Sequence, residues 1–289
     1  MGSLAGNDTH NAIFGQHIGK TMKDKPDIEL SPELEKFRDK IESSIKPYIA
    51  IRAEKNEDLA LWQSKFGGLP YLPKGCEYPK GTEGNPLFLL AQINFEEFFG
   101  LEGFPQSGIL QFYIADDDFY GANWDAPTQQ EGFRVVYFPT IFQTENDLVT
   151  DFSFLPEPSG LPFFGCSSLQ FDKKMAPVGV TDYEFNELLG ERFFEQFGNK
   201  EDETWDEYMD KFPSEGHKMG GYAYFTQDDP RSYGKSEATI DKEILLLQID
   251  TDNAVDIMWG DSGVCNFFIS RTDLENLDFS RVFYTWDCH

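Results

Sequence analysis

The sequence predicts an α+β protein: internally duplicated, mostly antiparallel β-sheet units packed with a few helices. Three observations predict it. Short apolar runs punctuated by glycine and proline fill residues 62–138 and return after Lys218, the pattern of strands joined by turns. Helical periodicity is confined to a stretch near the N-terminus, one in the middle and a short piece before the end. A content of 40% hydrophobic and 16% aromatic residues in 289 is enough to bury a sizeable core and is unlike that of a disordered chain.

In chain order, residues 1–28 show no sustained periodicity and read as a mobile arm or non-native leader, with Met22 a conceivable start. Residues 29–289 read as one domain. Ser31-Pro32-Glu33 supplies an N-cap, a proline at the first helical position and an early acid; Leu34, Phe37, Ile41 and Ile45 then mark one helical face. Strands are expected at Leu87–Ile93, Ile109–Ala115 and Phe133–Phe138, with a helical turn at 94–99. Residues 139–179, rich in Pro, Phe and Ser, read as a long irregular crossing. Thr181 to Glu184 has the T-x-x-E capping-box form, and Trp205, Tyr208, Met209 and Phe212 mark a second mid-chain helix. Strands return at Ile244–Ile249, Val264–Ile269 and Val282–Trp286, with another T-x-x-E box at Thr272–Glu275 placing a short helix before the last.

Four blocks recur in order. FGGLPY (66–71) answers MGGYAY (219–224), LLAQIN (89–94) answers LLLQID (245–250), SGILQFYI (107–114) answers SGVCNFFI (262–269), and FRVVYF (133–138) answers SRVFYT (280–285). The offsets are 153, 156, 155 and 147. One such match arises by chance, but four in the same sequence with small length changes mark a duplicated unit, with pseudo-repeats about 62–140 and 215–289. Gly67-Gly68 and Gly220-Gly221 would then permit positive φ or close backbone approach in each copy.

Net charge is −27. Residues 1–50 hold seven Lys/Arg and eight Asp/Glu, leaving 17 against 43, or −26, for the remainder. Such a body repels phosphate backbones and anionic lipid, so neither nucleic acid nor membrane is expected as a partner; a basic protein is. Cys76, Cys166, Cys265 and Cys288 lie far apart, and no apolar N-terminal stretch resembles a signal peptide, which suggests reduced thiols in a cytoplasmic protein. No apolar run approaches the ~20 residues of a membrane span.

FGGLPYLPKG, PLFLLAQINF, SGILQFYI, WDAPTQQEGFRVVYF and GDSGVCNFFIS with DFSRVFYTWDC together resemble the bacterial YwqG-like family, a domain of unknown function. The likeness runs from about Ser31 to the C-terminus. It implies one α+β unit with internal duplication, and brings no catalytic residues.

Candidate chemistry is sparse. GDSG at 260–263 looks like a serine-protease nucleophile loop, but His217, 45 residues upstream of Ser262, has no catalytic surroundings. Asp116, Asp118 and Gly121 begin like a calcium loop, yet Tyr120 stands at position five and Pro127 at twelve; Asp116 and Asp118 remain weak metal candidates. Asp250 and Asp252 start a second attempt that fails at Ala254 and Val255. Cys288-His289 has no second pair at zinc spacing. No P-loop or G-x-G-x-x-G occurs, and no cofactor is expected. The remaining set is polar and repeat-related: Gln92 and Asn94 in one copy, Gln248 and Asp250 in the other. At the ends of buried strands, these side chains either satisfy local backbone groups or converge on a shared cleft with Tyr71, Tyr224, Trp124 and Asp125. The reading that follows is a non-catalytic, acidic intracellular binding protein for a basic protein partner, in the manner of an inhibitor or immunity protein. The alternative is an enzyme or small-ligand or metal binder using an inter-repeat cleft, with Asp250, Asp125 and Asp116 as its acidic groups.

Overall fold

The computed structural model describes residues 28–98, 100–233 and 241–289. The arm expected at 1–28 therefore lies, apart from Ile28, outside the described residues. Ten strands form one sheet: β1 (Lys46–Lys55), β2 (Lys65–Gly67), β3 (Phe88–Asn94), β4 (Ile109–Ile114), β5 (Phe133–Phe138), β6 (Cys166–Ala176), β7 (His217–Gly220), β8 (Ile244–Asp250), β9 (Val264–Ile269) and β10 (Phe283–Asp287). Their spatial order is β10-β9-β8-β7-β1-β6-β2-β3-β4-β5, and every pairing is antiparallel. The sheet curls into a half-barrel whose two ends face each other across one apolar core. Phe112 of β4 lies 4.8 Å from Phe267 of β9, and Phe133 of β5 lies 5.1 Å from Tyr284 of β10, centroid to centroid. All four rings are buried, so this face of the sheet is filled by side chains.

The two ends share their pairing pattern. β3 and β4 pair with a register shift between Leu89 and Ala91, and β8 and β9 with one between Leu245 and Leu247. Gln92 faces Gln111 at one end and Gln248 faces Asn266 at the other. Between the ends, β1 and β6 pair along ten residues, from Lys46 opposite Ala176 to Lys55 opposite Ser167. Their outer neighbours are crossed: β1, which precedes β2–β5 in the chain, pairs with β7, while β6, which precedes β7–β10, pairs with β2.

These two central strands were not expected. β6 replaces part of the irregular crossing read at 139–179. Its first half is drawn into the sheet by Cys166 and Leu169, which are buried, and its polar second half, Asp172-Lys173-Lys174, is partnered all along by β1. β1 carries Ile49 and Ile51 into the core, and the helical face ends before it. Helices α1 (Pro32–Glu35) and α2 (Arg38–Ser43) hold Leu34 and Ile41, whereas Ile45 lies just beyond them. Ser31 does cap α1 by accepting the Leu34 N–H.

Helices α3 (Glu184–Leu189) and α4 (Glu201–Lys211) form with α1 and α2 a separate aromatic cluster around Phe185, Phe193, Phe194 and Tyr208. The capping box read at Thr181–Glu184 is not one. Thr181 Oγ1 accepts the Phe225 N–H, and the Glu184 N–H goes to Asp182 instead. Trp205, read as part of the apolar face of α4, points outward and is 42% exposed. Helix α5 (Arg271–Glu275) precedes β10 as expected, but its cap is Ser270, which accepts from the Asp273 N–H.

The paired glycines behave as read. Gly67 and Gly68 have φ of +66° and +69°, Gly220 and Gly221 of +70° and +68°. A Cβ on Gly67 would stand 2.3 Å from the Gly165 carbonyl oxygen. Gly67→Ala is therefore expected to destabilise the fold by about 2–3 kcal/mol, combining left-handed strain with a backbone clash, as read from urea denaturation.

Candidate functional site

The repeat-related polar residues sit on the outer face of the sheet, each set bonded within its own end. Gln92, at the end of β3, accepts the Tyr71 N–H at 2.8 Å and the Gln111 amide at 2.7 Å, and donates to the Leu61 and Gln63 carbonyls. Gln248 does the same at the end of β8, accepting the Tyr224 N–H at 2.8 Å and donating to the Ser214 and Gly216 carbonyls. Asn94 donates to the Trp62 carbonyl and accepts from the Glu96 N–H. Asp250 accepts the Gly216 and Thr251 N–H groups; burial raises its carboxyl pKa, and these two bonds hold the rise in check. The Tyr71 hydroxyl joins the Thr140 carbonyl to the Phe142 N–H. These groups pin loops onto strand ends, and among the described residues no hydrogen bond joins one set to the other.

Two buried lysines complete this scaffold. Lys65 donates to the Ala60 and Leu69 carbonyls across the Gly67-Gly68 turn, and Lys218 to the Ser214 carbonyl. Burial lowers both amines to about 8. Between about 8 and the ordinary lysine value of about 10.4, the unfolded chain binds more protons at these positions, so their contribution to stability rises with pH. The buried Cys166 and Cys265 thiols, raised by burial, act oppositely in the same window. The expected result is thus comparative. From pH about 8 to about 10, the parent gains stability relative to the Lys65→Met/Lys218→Met variant, measured by denaturation midpoints across that range.

The acids of the abortive calcium loop are also engaged. Asp116 accepts from the Ser159 and Gly160 N–H groups at 2.8 and 2.7 Å, and Asp117 from those of Phe119 and Gly121. Asp118 is exposed. Among the described residues, no three His, Cys, Asp or Glu side chains are grouped to hold a metal. His217 accepts the Asp250 N–H through Nδ1 and stands 3.4 Å from Asp252. Ser262 is a turn residue at φ +57°.

Trp124 and Asp125 fare differently. They line a groove of about 1800 Å³ between loop 124–129, from the first half of the chain, and residues 230–231, 241–243, 270–273, 281, 283 and 285 from the second. Early and late segments thus meet here. One wall is fixed by Arg231, whose side chain is 4% exposed and whose guanidinium bonds Asp229 at 2.6 Å and Asp182 at 3.0 Å and lies 4.0 Å from the Phe268 ring centroid. Deeper in, Asp273 bonds Arg281 at 2.6 Å and stands 3.5 Å from Lys242. Burial pushes the Asp273 carboxyl up, but Arg281, Ser270 and Lys242 together hold it below its ordinary value.

The groove continues into a narrower end of about 350 Å³, sharing Trp124, Pro230 and Thr285 with the larger part and adding Phe225, Tyr233, Trp286, Asp228 and Asp287. Trp124 is 53% and Tyr233 71% exposed. Sequence reasoning found Trp124 and Asp125 and missed the rest. The signal present was Asp229-Pro230-Arg231, a side-chain-capped turn in which Asp229 accepts the Arg231 N–H.

The family model described as a domain of unknown function (DUF1963) matches residues 64–288, a span that contains every motif behind the YwqG-like resemblance. A comparison with curated proteins found no match. No described helix is long and apolar enough to cross a membrane.

Proposed function

This chain belongs to the DUF1963 family, and we propose that it is a non-catalytic intracellular binding protein for a basic protein partner. The observation that carries the reading is the charge of its exposed surface. On α4, Glu201, Asp202, Glu203, Asp206 and Asp210 are exposed around the exposed Trp205, and none has an ion pair with a described residue. An aromatic ring ringed by unpaired carboxylates suits a partner bearing lysine and arginine, and the −26 body would steer it in. The test is capture and kinetics with the full chain. Low-salt pull-down followed by binding at rising ionic strength should give a protein partner whose association slows steeply with salt; salt-indifferent affinity overturns the reading.

The same proposal takes the body to be two copies of one sheet unit, β2–β5 and β7–β10. Matching strand order, register shifts and glutamine networks support it. In an experimental structure the two sets should superpose with the same connectivity, and discordant connectivity would end the idea.

A second reading is favoured by the groove itself, which takes residues from both halves. In it, a small ligand or divalent cation binds there, with Asp125 in the lining and Asp116 and Asp250 as more distant acids. Thermal shift with metabolites and divalent cations should then raise the melting temperature, and a flat response across the set removes it.

A further inference from the structure

The narrow end of the groove differs in character from the rest. Trp124 and Trp286 stand 6.1 Å apart, centroid to centroid, at 52°, so the two indoles form a corner. Phe119 buttresses Trp124 at 5.3 Å, and its carbonyl accepts the Trp286 indole N–H at 2.8 Å, which fixes that corner to the loop. Tyr233 adds a third ring, held by a hydrogen bond from its hydroxyl to Asp228. Among the described residues, the lining includes two carboxylates, Asp228 and Asp287, and no lysine or arginine. Asp287 accepts the Gln227 N–H through Oδ2, and the Thr226 backbone and hydroxyl also favour its charged form.

Aromatic faces attract cations through their quadrupole, and a carboxylate at their edge adds a charge-assisted partner for an ammonium. Building on the proposed basic partner, we infer that this end of the groove is a lysine-side-chain site: the ammonium sits over the Trp124 and Trp286 rings beside Asp287, and the alkyl stem lies along the aromatic wall. The Asp228 and Asp287 carboxylates beside the rings give the complementarity.

The test uses the full chain and two capped tripeptides, acetyl-Gly-Lys-Gly-amide and acetyl-Gly-Gln-Gly-amide, followed by the indole N–H resonances. The lysine peptide is expected to shift the Trp124 and Trp286 signals saturably, and the glutamine peptide is not. Trp124→Ala, at an exposed position, should keep the parent's melting temperature and bind the lysine peptide about fivefold more weakly, the scale of one exposed cation–π contact; Asp287→Asn should weaken it similarly. Equal shifts with both peptides, or undiminished binding by Trp124→Ala, overturn the inference. An oligolysine arm separates the two readings. Salt-sensitive oligolysine binding that Trp124→Ala leaves unchanged would sink the lysine site and leave the acidic-surface reading standing. Binding of the single-lysine peptide without any of oligolysine would do the reverse.

Discussion

Replacing Arg231 with alanine is expected to lower the unfolding free energy by about 3–5 kcal/mol, the cost of stranding buried opposite charges. The guanidinium bonds two carboxylates that are themselves only 2% exposed, and it is stacked among Tyr183, Phe225 and Phe268. Asp182 and Asp229 also receive backbone N–H groups from Ala223, Glu184 and Tyr183, so they are held in place when the cation is removed. Denaturant unfolding of Arg231→Ala, Asp229→Asn and the double variant checks this. The double variant should lose much less than the sum of the singles, and strict additivity would mean that the three groups do not act as a unit.

Gln92→Leu has the second large effect, about 3–4 kcal/mol. One fully buried side chain satisfies the buried Tyr71 N–H and Gln111 amide and two half-buried carbonyls, and leaving buried groups unpaired costs about 1–3 kcal/mol each before relaxation. Gln248→Leu strands fewer groups, the Tyr224 N–H and the Ser214 and Gly216 carbonyls, and should cost less. Chemical denaturation of the two variants side by side gives the order, and a larger loss for Gln248→Leu contradicts the account.

How much was legible follows from range. Strands β3, β4, β5, β8, β9 and β10 announced themselves because each is apolar and bounded by turn residues, a local signal. β1 and β6 stayed hidden because Lys46–Lys55 and Cys166–Ala176 are half polar, and what makes them strands is each other, more than a hundred residues apart. The glutamines were legible as buried polar groups at strand ends, yet the alternation says nothing of the loop that lies opposite. Trp124 and Asp125 were found without the groove residues of the second half, since Trp286 and Asp287 look like any strand end until the chain folds back to put Phe119 beside them.

The crossed pairing at the centre of the sheet governs how the molecule can be made. During synthesis, β1 emerges first and finds neither of its neighbours until translation has passed residues 176 and 220. For that whole interval a ten-residue strand is open on both sides, a template for wrong partners. Completion waits for the latest arrivals, so folding should be slow for this length and aided by holdase chaperones that shield nascent edges.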